Sequence, residues 1–104
     1  MSDITLRIRY FNVLADYAGT KSTEVTVPVG TTVLGLIRHL AEMNPGRIRQ
    51  TLFDGDMFSS YTRVVRNDRL VAGDGFESPI ADGDEFMLFP AIAGGGLYLE
   101  SSLL

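Results

Sequence analysis

Only one stretch of this chain has a sustained helical period, and it lies between segments that alternate. Val33, Leu36, Ile37 and Leu40 recur at i, i+3, i+4 and i+7, with Arg38, His39 and Glu42 elsewhere on the wheel. Thr31 or Thr32 is a good N-cap. Asn44 and Pro45 stop the helix, because the residue before proline is pushed out of the α region. A single amphipathic helix of about three turns can cover one face of one sheet. The remainder of the chain must therefore supply that sheet.

Ile4, Leu6, Ile8 and Tyr10 alternate with Thr5, Arg7 and Arg9, the period-2 signature of a strand with one buried face. Phe11 falls on the opposite parity, with the polar residues. Residues 12–18 are short and helix-compatible, and Gly19 suits a helix end. Residues 23–27 form a second strand with Val25 and Val27 inward, and Pro28 and Gly30 make a turn. Residues 46–61 are the least regular. Ile48, Leu52 and Phe53 fit another helical turn, while Asp54–Gly55–Asp56 and Ser59–Ser60 look like loop. Residues 62–66 form a third strand, Asn67–Asp68 a tight turn and Leu70–Val71 a short return strand. A glycine-rich connection covers 72–79. A turn at 81–84 opens into a last strand, 85–89, apolar on both faces. Pro90 is expected to end it, having no N–H for a ladder. Two strands, a helix and further strands define an α+β chain in the order of the β-grasp (ubiquitin-like) fold. The expected sheet is mixed, with four to five strands, one main helix on one face, and the first and last strands parallel at its centre.

Composition narrows the function. The chain has 104 residues, enough for one domain with one small core. It has no cysteine, which removes disulfides, iron–sulfur clusters, thiol catalysis and most zinc sites. A net charge of −4 argues against nucleic acid as the main partner. No apolar run reaches the length of a membrane span, and the alternating N-terminus does not resemble a signal peptide. The default setting is cytoplasmic. His39, the only histidine, lacks a nucleophile or metal partner in sequence and is expected on the solvated side of the helix. Asp54–Gly55–Asp56 and Asp82–Gly83–Asp84 lack the EF-hand continuation and are turns. Gly73 and Gly75 do not follow a strand and open a helix as a phosphate loop would. No catalytic constellation, metal site or cofactor site is expected.

Two features of the C-terminal region remain. If Phe86 and Leu88 face the helix, Met87 and Phe89 face away, sharing that outer face with Phe11. Pro90 and Ile92 continue the apolar stripe toward Gly94, Gly95 and Gly96. A triple glycine is poor core material, because it costs backbone entropy and packs nothing, but it suits a tether threading a narrow channel. An apolar patch beside such a tether has the character of a docking surface. The alternative is a face covered by the chain's own apolar residues 97–104.

The chain resembles the MoaD/ThiS sulfur carriers, prokaryotic relatives of ubiquitin. "IRYFNVLADYAG" from Ile8, "VPVGTTVLGLIRHL" from Val27, "VVRNDRLV" from Val64 and "IADGDEFMLFPAIAGG" from Ile80 carry the likeness. "RNDRLV", "IADGD" and "PAIAGG" look most like the CysO-type branch, which delivers sulfur for cysteine synthesis. "RYFNVLADYAG" and "FP" look equally like MoaD of molybdopterin synthase. The resemblance implies a carrier and not an enzyme. It makes Gly95 the reacting residue, preceded by Gly94. An E1-like adenylating enzyme would use ATP to convert the Gly95 carboxylate into an acyl-adenylate, and a sulfur donor would leave a thiocarboxylate for a sulfur-accepting synthase. Phe11, Met87, Phe89, Pro90 and Ile92 would bind those partners.

One departure bears on that expectation. Residues 1–95 make the carrier domain, but 96–104, ending "LYLESSLL", extend past the glycine pair and hold the Gly95 carbonyl in a peptide bond. A JAMM-type or other protease would have to cleave after Gly95. Otherwise the extension docks on the exposed face and the domain only binds, or the extension is not native. A ubiquitin-like modifier conjugated to lysines and a non-reactive binding domain stand beside the carrier reading.

Overall fold

The computed structural model describes residues 2–44, 46–59 and 61–91. The elements are β1 (Asp3–Tyr10), α1 (Val13–Ala18), β2 (Ser22–Pro28), α2 (Val33–Met43), α3 (Arg47–Leu52), β3 (Phe53–Asp54), β4 (Met57–Phe58), β5 (Thr62–Arg66), β6 (Arg69–Leu70) and β7 (Glu85–Pro90). Five strands form one mixed sheet in the order β2-β1-β7-β5-β6. β1 and β7 are parallel neighbours at its centre, with Ile8 opposite Phe86 and Tyr10 opposite Leu88. This is the β-grasp arrangement that the order of elements implies.

The alternation in β1 is realised residue by residue: Ile4, Leu6, Ile8 and Tyr10 are buried and their neighbours exposed. Val25 and Val27 of β2, Val64 of β5 and Phe86 and Leu88 of β7 point to the same side. Val33, Leu36, Ile37 and Leu40 of α2 close over them, joined by Ala41. Each such side chain contributes roughly 1.5–3 kcal/mol by leaving water. Leu14 of α1 and Ile48 and Leu52 of α3 extend this core past the end of α2. Thr32 caps α2, its hydroxyl accepting the Gly35 N–H at 3.0 Å.

Several local expectations are refined. Residues 46–61 hold more structure than their irregular pattern suggests. α3 forms around Ile48 and Leu52, and Asp54–Gly55–Asp56 lies in a small hairpin in which Phe53 pairs with Phe58. The Gly55 φ of +66° is the backbone state that such a turn favours. The 72–79 connection contains a 3-10 turn, Gly73–Glu77. His39 is half-buried, less exposed than its neighbour Arg38. β7 runs one residue past the expected Phe89 and ends at Pro90, opposite Thr62. The ladder continues one residue further, with the Ala91 N–H donating to the Tyr61 carbonyl at 2.6 Å. Donors on β7 alternate between its two neighbours, so the donor missing at Pro90 belongs to the β1 side, where the Phe11 carbonyl instead accepts the Leu14 N–H at 3.2 Å. No sheet bond is lost there.

Candidate functional site

β7 is held firmly at its start and opens to the surface at its end. At the start, the turn at 81–84 locks onto β1: the Thr5 N–H donates to an Asp82 carboxylate oxygen at 2.7 Å, the Gly83 N–H to the Thr5 carbonyl at 2.9 Å, and the Arg7 N–H to the Asp84 carbonyl at 3.1 Å. Gly83 takes a φ of +86° there. The buried Asp84 carboxylate gathers the Arg66 guanidinium at 2.8 Å, the Asn67 side-chain amide at 2.8 Å and the Ala81 N–H at 2.9 Å. Burial opposes its ionisation. The Ala81 N–H, the Asn67 amide and the Arg66 charge outweigh that and pull its pKa below the ordinary value. The Asn67 side-chain oxygen Oδ1 in turn accepts the Glu85 N–H at 2.9 Å. Asn67 and Asp68, both at positive φ, form the two-residue turn between β5 and β6. The "RND" and "DGD" segments, distant in sequence, thus form one knot at the head of β7.

At the other end, the Ala91 N–H that follows β7 is bound to the Tyr61 carbonyl. Phe11 follows β1 directly and donates its N–H to the Leu88 carbonyl at 3.0 Å, which places it beside Phe89 on the outer face. Met87 lies between Arg9 of β1 and Val65 of β5, and Phe89 lies opposite Arg63. Phe11, Met87, Phe89 and Pro90 are all half-buried. The outer face is therefore not the unbroken apolar stripe expected from parity alone. Arginines interleave with it, and the Arg9 guanidinium lies 5.6 Å from the centre of the Phe11 ring. Val65, and Leu70 beside it on β6, extend the apolar surface; neither was among the expected residues. The parity of "TRVVR" read against Met87 is the signal that finds Val65. Ile92, Gly94 and Gly95 lie outside the described residues.

Among the described residues no group of three His, Cys, Asp or Glu side chains is placed to hold a metal. No described helix is long and apolar enough to cross a membrane. The arrangement presents a central strand, braced at its head, with an aromatic–arginine face along it.

A model of the ThiS family matches residues 8–95. This chain belongs to the ThiS family. The matched span runs from the middle of β1 through the glycine pair and stops one residue before Gly96. As a ThiS-family protein it is similar to small archaeal modifier protein 3 of Haloferax volcanii, 31% identical over 86% of this chain and 98% of that protein. It is equally similar to the molybdopterin synthase sulfur carrier subunit of Escherichia coli, 31% identical over 86% of this chain and 99% of that one. Among solved structures it superposes on small archaeal modifier protein 1 of H. volcanii with a TM-score of 0.75, at 26% identity over 86% of this chain and 99% of that one. The Amycolatopsis orientalis BexX/CysO complex contains a chain with a TM-score of 0.65, 30% identical over 86% of this chain and 99% of that one. Ubiquitin-like β-grasp sulfur carriers and modifiers are thus the relatives of this ThiS-family chain.

Proposed function

We propose that this protein is a cytoplasmic sulfur carrier whose working group is the main-chain carboxylate of Gly95, set free when a protease removes residues 96–104. The observation that supports this most directly is the termination of the family match at Gly95, in a chain whose central strand is fixed at its head. A carboxylate is a poor electrophile until one oxygen becomes a good leaving group. An E1-like adenylating enzyme supplies that by joining the Gly95 carboxylate to the α-phosphate of ATP, with pyrophosphate leaving. Sulfide equivalents from a donor then attack the acyl carbon, AMP leaves and a thiocarboxylate remains. Glycine at positions 94 and 95 leaves no side chain to obstruct a narrow tunnel to ATP. Phe11, Met87, Phe89, Pro90 and Ile92 form the docking face, supplying binding energy remote from the reacting atoms. The protein contributes no catalytic side chain of its own. The acceptor is a synthase of cysteine or molybdopterin assembly, in line with the CysO and molybdopterin synthase relatives.

The test is intact-mass analysis of the protein from its own cell. A carrier is found ending at Gly95 and heavier by about 16 Da, one oxygen replaced by sulfur. A protein always ending at Leu104 overturns the proposal. The likeness to a small archaeal modifier protein favours a second reading, conjugation of Gly95 to lysines of other proteins. A ladder of heavier conjugates would establish that reading instead.

A further inference from the structure

The register of the sheet sorts the side chains of its outer face into three rows that cross the strands. The row at the head of β7 holds Glu85, Arg7 and Glu24, and its charges are matched within it. The Arg7 guanidinium lies 3.3 Å from a Glu24 carboxylate oxygen, and Glu85 is the residue opposite Arg7 on the other side. The middle row holds Leu70, Val65, Met87, Arg9 and Ser22. The row at the far end holds Arg63, Phe89 and Phe11. These last two rows are apolar at the centre and contain two arginines and no acidic residue.

That imbalance runs against the chain as a whole, which carries a net charge of −4. Arg9 and Arg63 are exposed and stand on opposite sides of β7, two interstrand spacings or about 10 Å apart. Between them lie the half-buried Met87 and Phe89. Asp16 borders the same cleft as Arg9, but Lys21 borders it too, and among the described residues Arg9 forms no ion pair. Its guanidinium instead lies 5.6 Å from the centre of the Phe11 ring, which holds the charge at the edge of the apolar centre. An arginine presents five N–H donors, so both side chains can keep contacts within the face and still meet a carboxylate.

We infer that the surface of the adenylating enzyme that receives this face is an apolar pocket bordered by carboxylates, which meet Arg9 and Arg63. Resting on the carrier reading, this assigns the enzyme an acidic rim around an apolar centre. Burial at the centre gives the complex its strength, while the rim charges speed encounter and set orientation. A second copy of this chain does not fit the same face, because its own two rows bring further arginines and no acid.

The test follows binding of the full chain to the immobilised E1-like adenylating enzyme of its own cell by surface plasmon resonance, at about 0.05 M and about 0.5 M sodium chloride. The association rate constant should fall at least about tenfold over that rise in salt. Arg9→Glu/Arg63→Glu should slow association at the lower salt at least about tenfold and remove most of the salt effect. Arg38→Glu/Arg49→Glu, at exposed positions on the helix side, makes the same change in net charge and should slow it less than about threefold. Unchanged thermal midpoints check that each variant folds, and the salt response of the unaltered protein needs no variant. No measurable binding, a rate indifferent to salt, a rate that rises with salt, or equal slowing in the two double variants overturns the inference. So does self-association through this face, seen as a doubled mass in light scattering that Met87→Asp abolishes. A thiocarboxylate formed by an enzyme whose binding is indifferent to salt would sink the acidic rim alone. Salt-sensitive binding that follows the two arginines, with no thiocarboxylate ever formed, would sink the carrier reading alone.

Discussion

Two residues test opposite kinds of backbone and side-chain demand. Tyr10 is 3% exposed, and its hydroxyl has no hydrogen-bond partner among the described residues. A buried hydroxyl left unpaired costs about 1–3 kcal/mol. Tyr10→Phe should therefore leave the thermal midpoint unchanged or raise it, measured by calorimetry at neutral pH; a clear fall would show that the hydroxyl has a partner. Gly95, which lies outside the described residues, makes the reverse demand, since the proposed chemistry needs a position without a side chain. Gly95→Ala should abolish adenylation, read by ATP–pyrophosphate exchange on protein trimmed to end at residue 95, with no shift in thermal midpoint. Normal exchange by that variant would move the reacting position elsewhere.

Two elements carry the arrangement of the site. The knot around Asp84 joins the β5–β6 turn to the head of β7, and its ion pair with Arg66 is mostly shielded from water. Asp84→Asn keeps the shape but removes the charge that Arg66 faces. Loss of charge-assisted hydrogen bonds of this type costs about 1.5–3 kcal/mol. Denaturant unfolding should show a loss of that order, with an unchanged slope. β7 also presents Met87 to the outer face, between Arg9 and Val65. Met87→Asp should weaken binding to the adenylating enzyme by at least about tenfold, read by calorimetric titration, because a central apolar contact would become a buried charge. Full affinity in that variant would place the docking face elsewhere. Stability should change little, since Met87 faces away from the helix layer.

For the whole molecule, the two perturbed groups bound a pH range. The folded state lowers the Asp84 pKa below its ordinary 3.8, so as pH falls the unfolded chain takes up this proton first. The Asp84 contribution is therefore complete above that value and is lost as pH falls through the lower, folded pKa. Burial pushes the Tyr10 pKa up from 10.0 to about 12. There the unfolded chain releases its proton first, so stability declines from pH 10 upward. Thermal midpoints across the pH range should show both limbs. Asp84→Asn should soften the acid limb and Tyr10→Phe the alkaline one, independently, because the residues lie at opposite ends of the β1–β7 pair.

The period of α2 and the parity of β1, β2 and β7 were legible because each reports a local choice between one buried face and one wet face. The two-residue turn at Asn67–Asp68 and the N-cap at Thr32 were legible for a similar reason, since turn and cap chemistry acts over three or four residues. The sequence by itself also determined the glycine pair and the apolar extension beyond it. Sheet order, by contrast, was available only as an inference from the order of elements. The pairings that set it join residues as distant as Arg7 and Glu85. Only tertiary structure decided that "RND" and "DGD" share one carboxylate, that Arg9 lies over the Phe11 ring, and that Pro90 occupies a place needing no donor. The physical reason is common to all three. Each depends on which strand lies beside which, and between strands distant in sequence no local turn sets the register that fixes a side chain's neighbours.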